Sequence, residues 1–461
     1  MGTVVHNSSE VYTSDSEKGF AINHSTPPEV DAGAKFVLVS KGSWLHCGYH
    51  LTTSIVAPAL LTLPFSFTLL GWIGGLLWLT LAGLTTFYSY NLLSVVLEHH
   101  AHLGRRQLRF RDMARDIIGP GWAKYYVGPL QFVICFGTVI GGPLVGGKSL
   151  KFIYILYNPE GTMKLYQFII ICGVITLILA QLPSFHSLRH INLISLILCV
   201  LYATCITVGS IYIGHSKNAP PRHYSVRGSE VDKLFGVFNG ISIIATTYAS
   251  GIIPEIQATL APPVKGKMLK GLCVCYSVIA TTYFNVAISG YWAFGNEANP
   301  TILANFFRGT KPLLPKWFFL MTNIFILLQV MGMTAVYLQP TNELFETTFG
   351  DPKMGQFSIR NVVPRVLLRS LSVAAATVLA AMLPFFADIM SLFGAFGCIP
   401  LDFILPMVLY NMTFKPSKHS IMFWVNSLIT VASSILVVIG GIASIRQIVH
   451  DAKTYNLFAD M

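Results

Sequence analysis

About eleven runs of roughly 20 apolar residues follow one another along this chain, each long enough to cross about 30 Å of hydrocarbon as a helix. They lie near residues 44–70, 72–97, 125–147, 165–182, 191–213, 234–260, 269–294, 317–344, 366–383, 385–410 and 421–445. Inside lipid no water satisfies backbone N–H and C=O groups, so a chain of this kind folds as helices that pair those groups internally. The fold class expected is therefore an all-α polytopic membrane protein. Of 461 residues, 53% are hydrophobic and 11% charged, well below the roughly 25% charged residues of soluble domains. The net charge of +11 has no soluble face to sit on, which excludes nucleic acid as a partner and leaves the lipid bilayer and its anionic headgroups.

The spacing of the runs gives three segments: a polar tail over 1–41, a transmembrane domain over 42–450 and a short C-terminal tail over 451–461. The first 40 residues hold no apolar run of the 7–15 residues a cleavable leader needs, so the tail is expected in the cytosol. With the N-terminus inside, the basic stretches RRQLRFRDMAR (105–115), KGKMLK (265–270) and RNVVPRVLLR (360–369) fall on the inner side, as the positive-inside rule asks. KNAPPRHYSVRGSE (217–230) falls outside and weakens that contrast. The eight cysteines lie in or beside apolar runs without paired spacing in a loop, and are expected to be buried free thiols.

Two runs are interrupted. The first carries Pro58 and Pro64, and the sixth carries Ser250-Gly251 and Pro254. Proline and glycine kink many membrane helices for packing alone. Small residues on either side of Pro58 and a second interruption five spans later favour another reading. Five-helix units starting at spans one and six are inserted with opposite polarity, and paired breaks in such units point to a transporter's binding site. There, half-helix N-termini face an anionic group and freed carbonyls face a cation, so a zwitterion is held without charged side chains.

Four segments in order resemble the amino acid/auxin permease family: IVAPALLTLPFSFTLLGW (55–72), GTVIGGPLVGGKSLKFIY (137–154), PEIQATL (254–260) and GAFGCIPLDFILPMVLY (394–410). Within that family the chain is similar to the plant γ-aminobutyric acid (GABA) transporters. The resemblance implies a LeuT/APC-like fold of two inverted five-helix repeats with broken helices 1 and 6 plus one extra helix. It also implies proton-coupled secondary active transport of amino acids by alternating access at the plasma membrane. Where many members have Gly-Ser-Gly in the first break, this chain has Ala57-Pro58-Ala59, which narrows the space.

The substrate wall is expected from Ala57, Pro58, Ala59, Leu60, Leu61 and Thr62 in the first span, with the amides of Ala59 to Thr62 facing a carboxylate. Thr247, Tyr248, Ala249, Ser250 and Gly251 in the sixth span are expected to form the opposite wall. Their carbonyls would face the ammonium group, and the Tyr248 ring either closes over the substrate or packs between helices. Thr138 offers a hydroxyl, and Gly141 lies on the same small-residue stretch of the third span, whose ordinary role is close helix packing. Lys148 and Lys151 are expected to snorkel at the outer end. Intramembrane carboxylates are functional candidates by default. Glu255 is the first choice for proton coupling or gating, against a structural ion pair with a basic residue, and Asp402 is the second. Asp388 is expected near a solvated mouth.

No phosphate-binding loop, zinc-protease motif or other catalytic pattern is present, so neither an enzyme nor an ATP-driven pump is indicated. No cofactor or metal is called for. The partners expected are an amino acid substrate, protons and lipid. Proline, other neutral amino acids or auxin are alternative cargoes. An ion channel is the rival of a different class, and it lacks repeated filter-like loops or rings of charge.

Overall fold

The computed structural model describes Leu38 and residues 41–182, 188–217, 219–226, 228–261, 264–309, 311–383, 385–451 and 458. Apart from Leu38 and Lys41, the polar tail over 1–41 lies outside the described residues, as does most of 451–461. Among the described residues, nine helical stretches are long and apolar enough to cross a membrane. The first, over 44–102, holds two legs, and Leu165–Leu179 is a further apolar helix of 15 residues.

The chain begins with α1 (Trp44–Ile55), a 3₁₀ turn (Pro58–Thr62) and α2 (Leu63–His102). At Gly71 φ is +69°, where the chain leaves helical geometry and reverses into the second leg of α2. A side chain there would be strained. Four residues on, the legs lie so close that a Cβ on Gly75 would sit 2.7 Å from the Phe67 ring. Next come α3 (Phe110–Ile117), α4 (Gly128–Tyr157), α5 (Leu165–Leu179) and α6 (Arg189–His215). The sixth span is α7 (Glu230–Tyr248) followed by α8 (Ile253–Ala258). The remainder is α9 (Lys267–Phe294), α10 (Lys316–Phe349), α11 (Ile359–Met382), α12 (Phe386–Phe393), a π-helical stretch Gly394–Ile404, α13 (Leu405–Phe414) and α14 (Ile421–Asp451). Both interruptions therefore fall where the prolines and the Ser-Gly pair place them.

Local rules set the helix ends. Ser229 caps α7 through its side chain, which accepts from the Asp232 N–H, while Asp232 returns a bond to Ser229. Glycines let helices cross with backbones in contact. A Cβ on Gly142 would collide with Thr334 of α10, and one on Gly394 with the Ser242 carbonyl of α7.

The alternation of helices gives the bundle a near face, where α1 begins, and a far face. On the near face Gly42 pairs with Thr259 and Ala261, and Arg106 donates to the Ala258 carbonyl at 3.0 Å. Glu343 of α10 accepts from Arg109 at 2.5 Å and from Arg111 at 3.0 Å. Glu346 is paired with Arg365 and, at 3.4 Å, with Arg369, whose guanidinium also donates to the Leu182 carbonyl at 2.9 Å. On the far face Tyr291 packs edge to face against both Trp72 and Tyr224, with Trp72 and Tyr291 centroids 4.8 Å apart. Tyr224 donates to the Trp292 carbonyl at 2.8 Å, which straps the α6–α7 connection across the Gly71 turn of α2 and the end of α9.

Three expectations need correcting here. Seven cysteines are buried but Cys273 is exposed, because it lies on a face of α9 turned away from the bundle. Lys151 is buried rather than snorkelling, and Asp388 is buried rather than solvated, since both lie between helices and not on the bundle's surface.

Candidate functional site

The two broken helices meet. Helix α1 ends at Ile55, Val56 and Ala57 are non-helical, and Pro58 opens the 3₁₀ turn. Opposite them α7 ends at Tyr248 and α8 starts at Ile253. The Ser250 hydroxyl donates to the Ser54 hydroxyl at 3.2 Å and links the breaks directly. Among the described residues no ion pair joins them. Instead, neutral donors from neighbouring helices take up the freed carbonyls. Tyr283 of α9 lies 2.8 Å from the Ile55 carbonyl and 2.6 Å from that of Thr247. Gln329 and Tyr337 of α10 donate to the Val56 and Ser54 carbonyls, each at 3.0 Å. Tyr90 of α2 donates to the Tyr248 carbonyl at 2.9 Å, and Gln131 of α4 to that of Gly251 at 2.8 Å.

A cavity of about 50 Å³ lies against these breaks. Its walls include Ala57, Pro58 and Ala59 from the first break, Thr246 and Ala249 from the sixth span, Thr138 and Gly141 from α4, Tyr337 from α10, and Phe386 and Phe393 from α12. A void of roughly 10–15 Å³ holds one water, so this one takes a few waters and must widen for an amino acid. One turn nearer the near face, between Gln131, Cys135, Pro340 and Glu255, a second cavity of about 620 Å³ reaches Arg109, Arg111 and Glu343. The adjacent residues Ile134 and Cys135 line the small and the large cavity respectively.

Of the expected wall, Ala57, Pro58, Ala59, Thr138, Gly141 and Ala249 line the small cavity. Leu60, Leu61, Thr62, Thr247, Ser250 and Gly251 are buried around it without lining it. The 3₁₀ turn begins with the Leu60 N–H donating to the Ala57 carbonyl, so the i→i+3 pattern uses the amides of Leu60, Leu61 and Thr62 and leaves that of Ala59 ahead of the first bond. Carbonyls of Thr247, Tyr248 and Gly251 already receive the donors named above. Tyr248 faces away from the cavity: its ring stands edge-on to Tyr283 and its hydroxyl donates to the Leu79 carbonyl at 2.8 Å. The Thr138 hydroxyl donates to the Ile134 carbonyl at 2.9 Å.

Glu255 is buried at the start of α8 and has no ion pair among the described residues. One carboxylate oxygen accepts from Gln131 at 2.6 Å, and the other has no hydrogen-bond partner. The basic residues that could have paired with it, Arg109 and Arg111, are held by Glu343 instead. Asp402 is fully buried in the π-helical stretch. Its backbone carbonyl accepts from Ser89, and its carboxylate lies beside the Tyr90 hydroxyl and the Ser250 N–H, with no ion pair among the described residues. His50, a third ionisable residue within the spans, belongs beside these two. It is buried on α1, with Asn192 Nδ2 of α6 2.7 Å from its Nδ1.

The family model described as transmembrane amino acid transporter protein matches residues 40–447. The chain belongs to the transmembrane amino acid transporter family. Such proteins are transporters and not enzymes. The chain is 56% identical over 434 residues to GABA transporter 1 of Arabidopsis thaliana, covering 94% of this chain and 96% of that one. It is 28% identical to lysine histidine transporter-like 1 of the same plant, over 94% of each. Among solved structures it is similar to MhsT in complex with L-phenylalanine, with TM-score 0.56 at 12% identity over 88% of this chain and 99% of that one. It is also similar to Mhp1, a nucleobase-cation-symport-1 family transporter, with TM-score 0.53 at 13% identity over 94% and 97%. These two likenesses bear on the fold, which is LeuT-like with broken first and sixth helices.

Proposed function

We propose that this transporter imports GABA and related zwitterions together with protons, by alternating access, at the plasma membrane with its N-terminus in the cytosol. The observation that carries the reading is the 56% identity, along nearly the whole of both chains, to a protein named GABA transporter 1. The geometry agrees with it. A small cavity between two broken helices, with the Ala59 amide left outside the 3₁₀ bonding pattern, suits a short, unbranched substrate. Its near-face neighbour of about 620 Å³ is then an inward vestibule, and the aromatic strap over the far face is the closed outer side. Arg105, Arg106, Arg109, Arg111 and Arg115 gather on the near face, as the inner side of a membrane protein requires.

Proton coupling is assigned first to Glu255, which stands between vestibule and break with one oxygen unpartnered, and second to Asp402. In cells or proteoliposomes, uptake of labelled GABA should rise when the outside is acidified. It should persist when sodium is replaced by an inert cation at constant membrane potential. Complete dependence on sodium would reject proton coupling, and competition by proline, alanine, β-alanine or auxin that outstrips GABA would reject the substrate.

A further inference from the structure

Helix α4 presents Ile134, Thr138, Gly141 and Val145 to the small cavity. The next residue on that stripe, three positions on, is Lys148. It lies nine residues short of the helix end at Tyr157, or about 13 Å at 1.5 Å per residue, and its side chain turns inward. The ammonium sits 5.9 Å from the centre of the Phe386 ring, within the range of a cation–π contact. Phe386 in turn lines the cavity, so the ring that the ammonium faces is also a wall of the cavity. Among the described residues Lys148 has no ion pair or hydrogen bond. Lys148 is half-buried, and a cation placed between helices at membrane depth against an aromatic face is costly to keep, which marks it as a functional candidate.

We propose that Lys148 is the carboxylate-binding group that a substrate meets first on its way from the far face into the cavity, with Phe386 as the ring it must pass. An ammonium on a four-carbon stem is a compact charge able to follow a moving carboxylate. A charge-assisted bond to a carboxylate replaces the weaker contact with the ring. The ligand class is an amino acid with a free carboxylate, and an amine lacking one gains nothing at this position. The assignment rests on the reading that the chain carries amino acids inward from the far face.

The test uses the full-length protein in proteoliposomes, with labelled GABA uptake measured for wild type, Lys148→Met and Lys148→Arg. Lys148→Met should raise KM by about tenfold at little change in maximal rate, the loss of one charge-assisted hydrogen bond. Lys148→Arg should stay within about threefold of wild type, since the charge is kept. Inhibition by butylamine, which has no carboxylate, should be the same in wild type and Lys148→Met. An unchanged KM in Lys148→Met overturns the proposal while leaving GABA transport standing. So does a parallel loss of maximal rate and butylamine sensitivity in both variants, the mark of a structural role. Wild-type protein that neither transports nor is thermally stabilised by GABA, proline or alanine removes the amino acid reading, and the proposal falls with it.

Discussion

In the first break two residues, Val56 and Ala57, leave helical geometry before Pro58 opens a 3₁₀ turn. In the sixth, four residues from Ala249 to Ile252 do so before α8 begins. Pro58 brings no N–H of its own, so the shorter gap also has one donor fewer to satisfy. Its carbonyls are held from α9 and α10. The longer gap is held from α2, α4 and α9, three helices that are far apart in sequence. A backbone polar group left bare in lipid costs several kcal/mol, so each gap is as wide as its neighbours can cover. Tyrosines and glutamines of surrounding helices supply the donors that both breaks lack, so neither gap depends on an ion pair among the described residues. A second difference is that the sixth break ends on a carboxylate, Glu255, and the first does not.

The largest effect is expected at the narrow break. Ala59 lines the small cavity, and a Trp ring in its place fills a space of about 50 Å³. Ala59→Trp should therefore abolish GABA uptake while the amount of protein in the membrane is unchanged. Normal uptake would show that the first break is not the substrate wall. At the wide break, Glu255→Gln keeps the shape and the contact with Gln131 but cannot change charge. It should lose proton-driven accumulation and retain exchange of internal for external GABA, both normalised to folded protein. Accumulation that still follows the pH gradient would remove Glu255 as the proton carrier. The smallest effect sharpens the contrast between the gaps. Tyr283→Phe withdraws a donor from both, and should destabilise the purified protein by about 1–3 kcal/mol, the cost of leaving buried acceptors unmet. Tyr90→Phe touches only the wide gap and Gln329→Leu only the narrow one, so thermal unfolding of each should shift less. Equal shifts in all three would mean that Tyr283 serves one gap alone.

Both gaps were legible in the sequence because proline and the Ser-Gly pair act locally, and helix ends at Ile55 and Tyr248 follow from them. The helical spans were legible for the same reason, apolar length being a local property. What surrounds the gaps was not. Tyr283, Gln329 and Tyr90 come from spans whose rotation about their axes no local pattern sets. Tyr248 is the last helical residue before the gap, and a small rotation there decides between cavity and packing. It packs against Tyr283. Lys148 was visible as a charge within an apolar run. Its inward direction depends on Phe386, more than 200 residues later, so distance from the helix end alone suggested the surface. His50 carries no local signal that sets it apart on the first span, and its burial against Asn192 depends on how α1 packs on α6.

Tyr283 has one hydroxyl hydrogen and two carbonyl oxygens within reach, those of Ile55 and Thr247. A single hydrogen cannot serve both fully at one instant. Ile55 has a second suitor, the Ala57 N–H at 2.8 Å, and tolerates its absence better. If either half-helix swings away, the hydrogen passes undivided to the one that stays, and the departing carbonyl must find water or substrate. The two hinges therefore behave as the arms of a seesaw balanced on one proton, in which loosening one side tightens the other.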